Sequence, residues 1–248
     1  DFISSKIKVE GARGSGHAWG AVGRWEKSLL RTRIGAQGMD YKGYNIAIHE
    51  FGHNVEQTID LYNIDYYPMA GVPNTGFTEA LAFIFQKRDL KLMGYDYAID
   101  DNTTLDIFWG LYEIMGVSLV DMKMWQWLYA HPQATAADLR KAVIQIAGEV
   151  WNKYYAPVLG EKNSPLLSIY SHMVGYALYL PGYPIGQIVQ YQLEEHLSQY
   201  TNPEEWAKEY IRIYQQGKLT PDAWMRGAVE ESISVQPILK AVRELLSH

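Results

Sequence analysis

Two histidines four residues apart flank a glutamate in the run His49-Glu50-Phe51-Gly52-His53. In a helix, residues four apart lie about 40° apart around the axis, one above the other. Both imidazoles can therefore aim a ring nitrogen at one ion. Glu50 sits about 100° round, off the ligand line yet near enough to reach a water on that ion. Two ligands and a general base on one turn are what metal-assisted hydrolysis of a peptide bond requires. The bland alternative is a solvated face carrying two histidines and a glutamate. Gly52 in mid-helix is worth about 1 kcal/mol less than Ala, so its presence predicts close approach by another element.

A catalytic site of this kind needs a third protein ligand and one open position. The chain has no cysteine, and no third histidine follows at metzincin spacing. Glu79, 26 residues after His53, lies in Gly76-Phe77-Thr78-Glu79-Ala80-Leu81-Ala82. A carboxylate entering an apolar face needs a partner, and a cation would serve. The competing reading places Glu79 in a first helical turn, where it complements the helix dipole. Glu56 and Asp60 are rival ligands, but their place on the first helix suits a tetrahedron less well.

A second cluster runs from His172 to Tyr183 and holds one His and three Tyr: His172, Tyr176, Tyr179 and Tyr183. A phenol or imidazole aimed at the carbonyl oxygen of a scissile bond stabilises the charge that builds there. Spacing alone equally allows an aromatic core. His131, His196 and His248 read as surface groups.

These residues must be held by elements. Residues 1–40 read as a β and Gly-rich edge. Lys6 to Glu10 alternates at period two, and a short strand is expected around His17-Ala18-Trp19. Residues 41–248 read as helical, the whole forming one mostly α domain. Ile46, Ala47, Phe51, Val55 and Ile59 form the stripe of a helix from about Tyr44. Thr78 is expected to cap a second helix. A long helix is expected over 104–129, and Thr135 with Asp138 makes a capping box for the next. Helix is expected again from Leu166, broken at Pro181-Gly182 and resuming to Tyr200. Asn202-Pro203 and Thr220-Pro221 open two more, and a last helix covers about 237–246.

The 248 residues are 48% hydrophobic and 20% charged, an ordinary globular balance that excludes a disordered chain. Zero cysteines exclude disulfides, Cys-type zinc fingers, iron–sulfur clusters and thiol nucleophiles. A net charge of -6 offers no basic field for nucleic acid. No apolar run reaches the ~18 residues of a membrane helix. The chain opens without a signal peptide and without Met, which predicts a true start further upstream.

The zinc-helix motif, Glu79 and the His172–Tyr183 stretch together resemble the thimet oligopeptidase and oligoendopeptidase F family of zinc peptidases. Gly14-Ser15-Gly16-His17-Ala18-Trp19-Gly20 is similar to that family's Gly-rich strand, and Gln215 to Pro221 to its late turn. More distantly, Pro73 to Ala80 and Ile188 to Gln192 resemble parts of angiotensin-converting enzyme. The resemblance implies a zincin-like catalytic domain, mostly α with a small β edge, holding one Zn²⁺ on His49, His53 and Glu79. It implies Glu50 as general base, Tyr183 as oxyanion donor and His172 beside the reacting bond. Tyr176 and Tyr179 would meet a peptide substrate, and His17 and Ala18 its extended backbone. It also implies a cytoplasmic setting, with export left open, and a large helical N-terminal portion as a partner completing the cleft. Glu56 stands where the family often has a third His. Two alternatives stay open: an exopeptidase of dipeptidyl carboxypeptidase type, with Arg24, Lys27 and Arg31 as candidate clamps for a terminal carboxylate, and a non-catalytic zinc-fold module that binds peptides. A structural helical domain with fortuitous histidines would hold no metal.

Overall fold

The structure, a computed structural model, describes residues 2–11, 16–95, 101–170 and 172–247. Gly14 and Ser15 of the Gly-rich segment lie outside them, as does His248. The chain is mostly α with one small sheet. It divides into two compact units, residues 1–100 with 186–248, and residues 101–185.

The first unit opens with a single turn, α1 (Phe2–Ser5), and three short strands: β1 (Ile7–Glu10), β2 (His17–Trp19) and β3 (Ser28–Arg31). Their order is β1-β3-β2, with β1 parallel and β2 antiparallel to β3. The alternation read from Lys6 to Glu10 thus forms a strand, and so does His17-Ala18-Trp19. The sheet packs on α2 (Tyr41–Asn63), to which it is tied by Asn54 Nδ2 donating to the Leu29 carbonyl at 3.3 Å. Asp40 caps α2 by accepting from the Gly43 N–H at 2.7 Å, so the helix begins a turn before the apolar stripe does.

Helix α3 (Thr75–Gln86) is capped by Asn74, whose side chain accepts from the Gly76 N–H at 2.9 Å. The expected cap, Thr78, is therefore inside the helix with its hydroxyl available for other work. Glu79 falls in the second turn, where the helix dipole no longer explains it. Phe77, Ala80, Leu81, Ala82 and Ile84 are all fully buried. Phe77 meets Trp224 edge-on at 5.0 Å, joining α3 to the later helices of the unit. After the short α4 (Asp89–Leu92), the unit is completed by residues from 186 onward: the body of α9 (Gly182–Leu197), α10 (Pro203–Tyr214), α11 (Pro221–Val229) and α12 (Gln236–Leu245). Asn202 caps α10 as expected.

The second unit contains α5 (Asp101–Ala130), α6 (Ala136–Tyr154), α7 (Ala156–Leu159) and α8 (His172–Gly175). The Thr135–Asp138 capping box is present in full. Val120, Met124, Ala147, Val150, Trp151, Met173 and Leu180 form its core. The helix expected from Leu166 is absent. A 3-10 turn at Leu166–Ser168 and the single turn of α8 stand there instead. Leu178 has a left-handed backbone, φ 56°, which no helix accommodates. The Ser118 hydroxyl of α5 donates to the Leu180 carbonyl at 3.0 Å and ties the end of this loop to the helix. Burial pushes the carboxyl of the nearby, fully buried Asp121 above its ordinary range, an effect that the Leu180 and Leu178 backbone partly offsets.

α2 and α3 run antiparallel and touch backbone to backbone. A Cβ at Gly52 would stand 2.8 Å from Ala82 Cα and 3.1 Å from Phe85 Cβ. The element expected to approach Gly52 is thus α3. Gly52→Ala should destabilise the protein despite alanine's helix propensity, worth about 1 kcal/mol, because the clash with backbone costs about 1–3 kcal/mol. Chemical denaturation measures the difference, and a variant more stable than the parent would contradict this packing.

Candidate metal centre

α2 and α3 bring His49, His53 and Glu79 together. One ligand atom from each lies within 4.8 Å of the others, the one such three-residue group among the described residues. His49 Nε2 is 3.4 Å from Glu79 Oε2, and His53 Nε2 is 3.9 Å from Glu79 Oε1. In a tetrahedral site with bonds of 2.0–2.1 Å, ligand atoms stand about 3.4 Å apart. His49 and Glu79 have this spacing and His53 stands somewhat wider from Glu79, and two imidazoles with a carboxylate suit a first-row cation chemically. All three are at least largely buried.

Each imidazole turns its other nitrogen to an oxygen. His49 Nδ1 is 3.0 Å from Gln86 Oε1, and His53 Nδ1 is 3.0 Å from Thr78 Oγ1. The Thr78 hydroxyl donates to Glu56 Oε2. A hydroxyl has one proton to give. Thr78 therefore accepts from His53 Nδ1–H, and the His53 lone pair is left on Nε2, facing Glu79. Burial pulls the His53 imidazole down to about 4, opposed by Glu79 and assisted by His49, so it is neutral at pH 7. Burial also opposes charge on His49, but the Glu79 carboxylate beside it outweighs this and raises its pKa.

The rival ligands Glu56 and Asp60 take no part in the group. Both are buried, and each lies close enough to perturb the other's carboxyl. Burial first, then mutual repulsion, pushes the Asp60 carboxyl far up, so the pair keeps a proton at neutral pH. Gly186, from α9, closes the unit behind the third ligand. A Cβ there would come 2.9 Å from the Gly76 carbonyl and 3.0 Å from Glu79 Cβ. No pattern in the sequence marked Gly186, Gln86 or Glu56 for these roles, because each depends on which residue faces it across a helix pair.

Glu50 stands one residue past His49 on α2 and is half-buried. Burial raises its pKa, the His49 charge lowers it, Glu79 raises it, and the Ala18 N–H lowers it by donating to the carboxylate. β2 can come so close because Gly16 has no Cβ, which would collide with Ile46 and sit 3.4 Å from Glu50 Cγ. Ala18 is thus beside the general-base candidate. His17 and Trp19 point the other way, exposed, with their rings 5.4 Å apart. Among the suggested clamps, Arg24 donates to the Leu61 carbonyl at 2.8 Å and Arg31 to Glu10 at 2.9 Å.

In the second unit the four residues of the later cluster also meet. The His172 ring lies 5.4 Å from Tyr176 and 5.8 Å from Tyr179, and Tyr179 is 5.5 Å from Tyr183. Tyr176 is exposed, so this is not a sealed core. Of the remaining histidines, His131 is exposed as expected, whereas His196 is partly buried and bonded to Glu209 at 2.7 Å.

No protein-family model and no curated protein matches the sequence. Solved structures do match in fold. PZ peptidase A, solved with an inhibitor, is 15% identical over 99% of this chain with a TM-score of 0.66. A Bacillus anthracis protein assigned as an oligoendopeptidase F is 15% identical over 98%, with a TM-score of 0.61. A carboxypeptidase from Deinococcus radiodurans is 15% identical over 99%, with a TM-score of 0.60. The chain spans 44%, 40% and 55% of these three longer chains, about half their length. Across nearly its whole length, the chain has the fold of a segment shared by oligopeptidase and carboxypeptidase structures.

Proposed function

We propose that this chain is the catalytic part of a zinc-dependent peptidase acting on oligopeptides. The observation that carries the reading is the convergence of His49, His53 and Glu79 with Glu50 on the adjacent helical position. The fold neighbours, oligopeptidases and carboxypeptidases, support the same reaction class.

His49, His53 and Glu79 would hold the ion. Zinc in such a site acts as a Lewis acid on the scissile carbonyl and lowers the pKa of a water it holds toward 7. Glu50 would take the proton of the water that attacks the scissile carbonyl and give it to the amine that leaves as the C–N bond breaks. Burial raises the pKa of this carboxyl, and the Ala18 N–H offsets part of that rise. β2 is an edge strand, and residues 16–19 would meet an extended peptide backbone added as a further strand on its outer side. The resemblance to the thimet oligopeptidase and oligoendopeptidase F family assigns Tyr183 to the oxyanion and His172, Tyr176 and Tyr179 to the substrate.

Glu50→Gln should keep its metal and lose on the order of 10²–10⁴ in turnover of a quenched peptide. Parental turnover in that variant would remove Glu50 from the chemistry. Glu79→Ala should lower the zinc content found by elemental analysis, and full occupancy would exclude Glu79 as a ligand. A chelator should abolish hydrolysis and added zinc restore it. Carboxypeptidase neighbours favour exopeptidase cleavage as a second reading. Product masses from a substrate with a blocked C-terminus separate the two, because only an endopeptidase cuts it.

A further inference from the structure

Behind His49 runs a line of side chains that the proposed reaction does not use. His49 Nδ1 lies 3.0 Å from Gln86 Oε1. Gln86 Nε2 donates to Asn45 Oδ1 at 2.6 Å, and Asn45 Nδ2 donates to Asp89 Oδ2 at 2.7 Å. The Tyr41 hydroxyl donates to the same Asp89 oxygen at 2.8 Å, while Asp89 Oδ1 accepts from the Leu90 N–H at 2.6 Å. Asp89 is 4% exposed, so water contributes little to satisfying it. Tyr41, Asn45 and His49 recur every fourth residue along α2. Gln86 ends α3 and Asp89 opens α4, and their side chains complete the line.

The direction of this line is not free. A carboxylate only accepts. With both Asp89 oxygens taking donors, the Asn45 amide must turn its nitrogen to Asp89 and its oxygen to Gln86. Gln86 must then turn its nitrogen to Asn45 and its oxygen to His49. An imidazole nitrogen facing a carbonyl oxygen must carry a proton. The neutral His49 ring is therefore protonated on Nδ1, and its lone pair sits on Nε2, 3.4 Å from Glu79.

We propose that Gln86, Asn45 and Asp89 are positioning residues for the metal centre. Asp89 fixes the polarity of two amides in series, and these fix the tautomer and ring orientation of His49. The proposal rests on the reading of His49 as a metal ligand. The same contacts tie α2 to α3 and α4, so a positioning role is told from packing by what substitution of Gln86 does to zinc affinity and to the tautomer.

The test reads the tautomer in metal-free protein with isotope-labelled histidine, by long-range proton–nitrogen correlation at a pH where the ring is neutral. His49 protonated on Nδ1 is expected, and protonation on Nε2 overturns the proposal without any variant being made. Two substitutions extend it. Gln86→Met removes the acceptor at similar volume. It should release the tautomer and weaken zinc binding about 10–100-fold in chelator competition. Gln86→Glu restores an acceptor to Nδ1 and should keep the Nδ1–H form and most of the affinity. The reverse order, Met tight and Glu weak, is what packing alone predicts and overturns the proposal. A parent that binds zinc with the expected tautomer yet cleaves no peptide overturns the peptidase reading alone. A parent that cleaves peptides with His49 protonated on Nε2 overturns the relay alone.

Discussion

The close approach of α2 and α3 governs everything else at the site. The two backbones meet where Gly52 faces Ala82, at a distance that leaves no room for a single methyl group. A glutamate side chain has limited reach. Only with the helices this near can Glu79 place both carboxylate oxygens against imidazoles from the neighbouring helix. The small residues Ala80 and Ala82 serve the same end from the α3 side, and Gly186 lets α9 press on the start of α3 from behind. The contact gives up helix propensity at Gly52 and gains a fixed interhelical register.

That register places polar side chains where a helix pair would ordinarily bury apolar ones, and every buried polar group must find a partner. The solution is the same on both sides of the ligand set. His53 leads through Thr78 to Glu56 and Asp60; His49 leads through Gln86 and Asn45 to Asp89. Each line starts at an imidazole and ends at carboxyl groups, and in each the donors point outward from the ring. The ends differ in how their oxygens are met. Asp89 accepts on both oxygens, whereas Glu56 and Asp60 are too close and too deeply buried for both to ionise. A proton kept on Asp60 limits the negative charge stacked behind Glu79.

This distinction explains what was legible in the sequence. His49, Glu50 and His53 are related by helical spacing alone, so their grouping could be read directly, and the glycine between them announced a neighbour. Glu79 could be found because an acid among Phe77, Ala80, Leu81 and Ala82 is out of place on an apolar face. Thr78, Gln86, Asn45 and Asp89 carried no such signal. Their roles appear only when two helices are set antiparallel in one register, and propensity says nothing about that register. Thr78 read as a cap for the same reason: Asn74, four residues earlier, is an equally good capping residue, and only the start of α3 decides between them. The stretch after Leu166 misled because its apolar residues suit a helix. Leu178 takes a left-handed backbone there instead, and Ser118, far away in sequence, ties the Leu180 carbonyl to α5.

The general-base candidate depends on a further element that the two helices do not supply. A carboxylate buried beside a second acid drifts toward its protonated form, and a protonated glutamate cannot take a proton from water. Two influences oppose that drift at Glu50, the charge of His49 and the Ala18 N–H. The first belongs to a group that a bound cation would hold neutral. The second is fixed in the backbone, and it is present only because Gly16 allows β2 to lie against α2. The small sheet at the front of the chain is thus more than an edge on which a peptide could lie. It also brings the Ala18 backbone beside Glu50, where its N–H offsets part of the effect of burial.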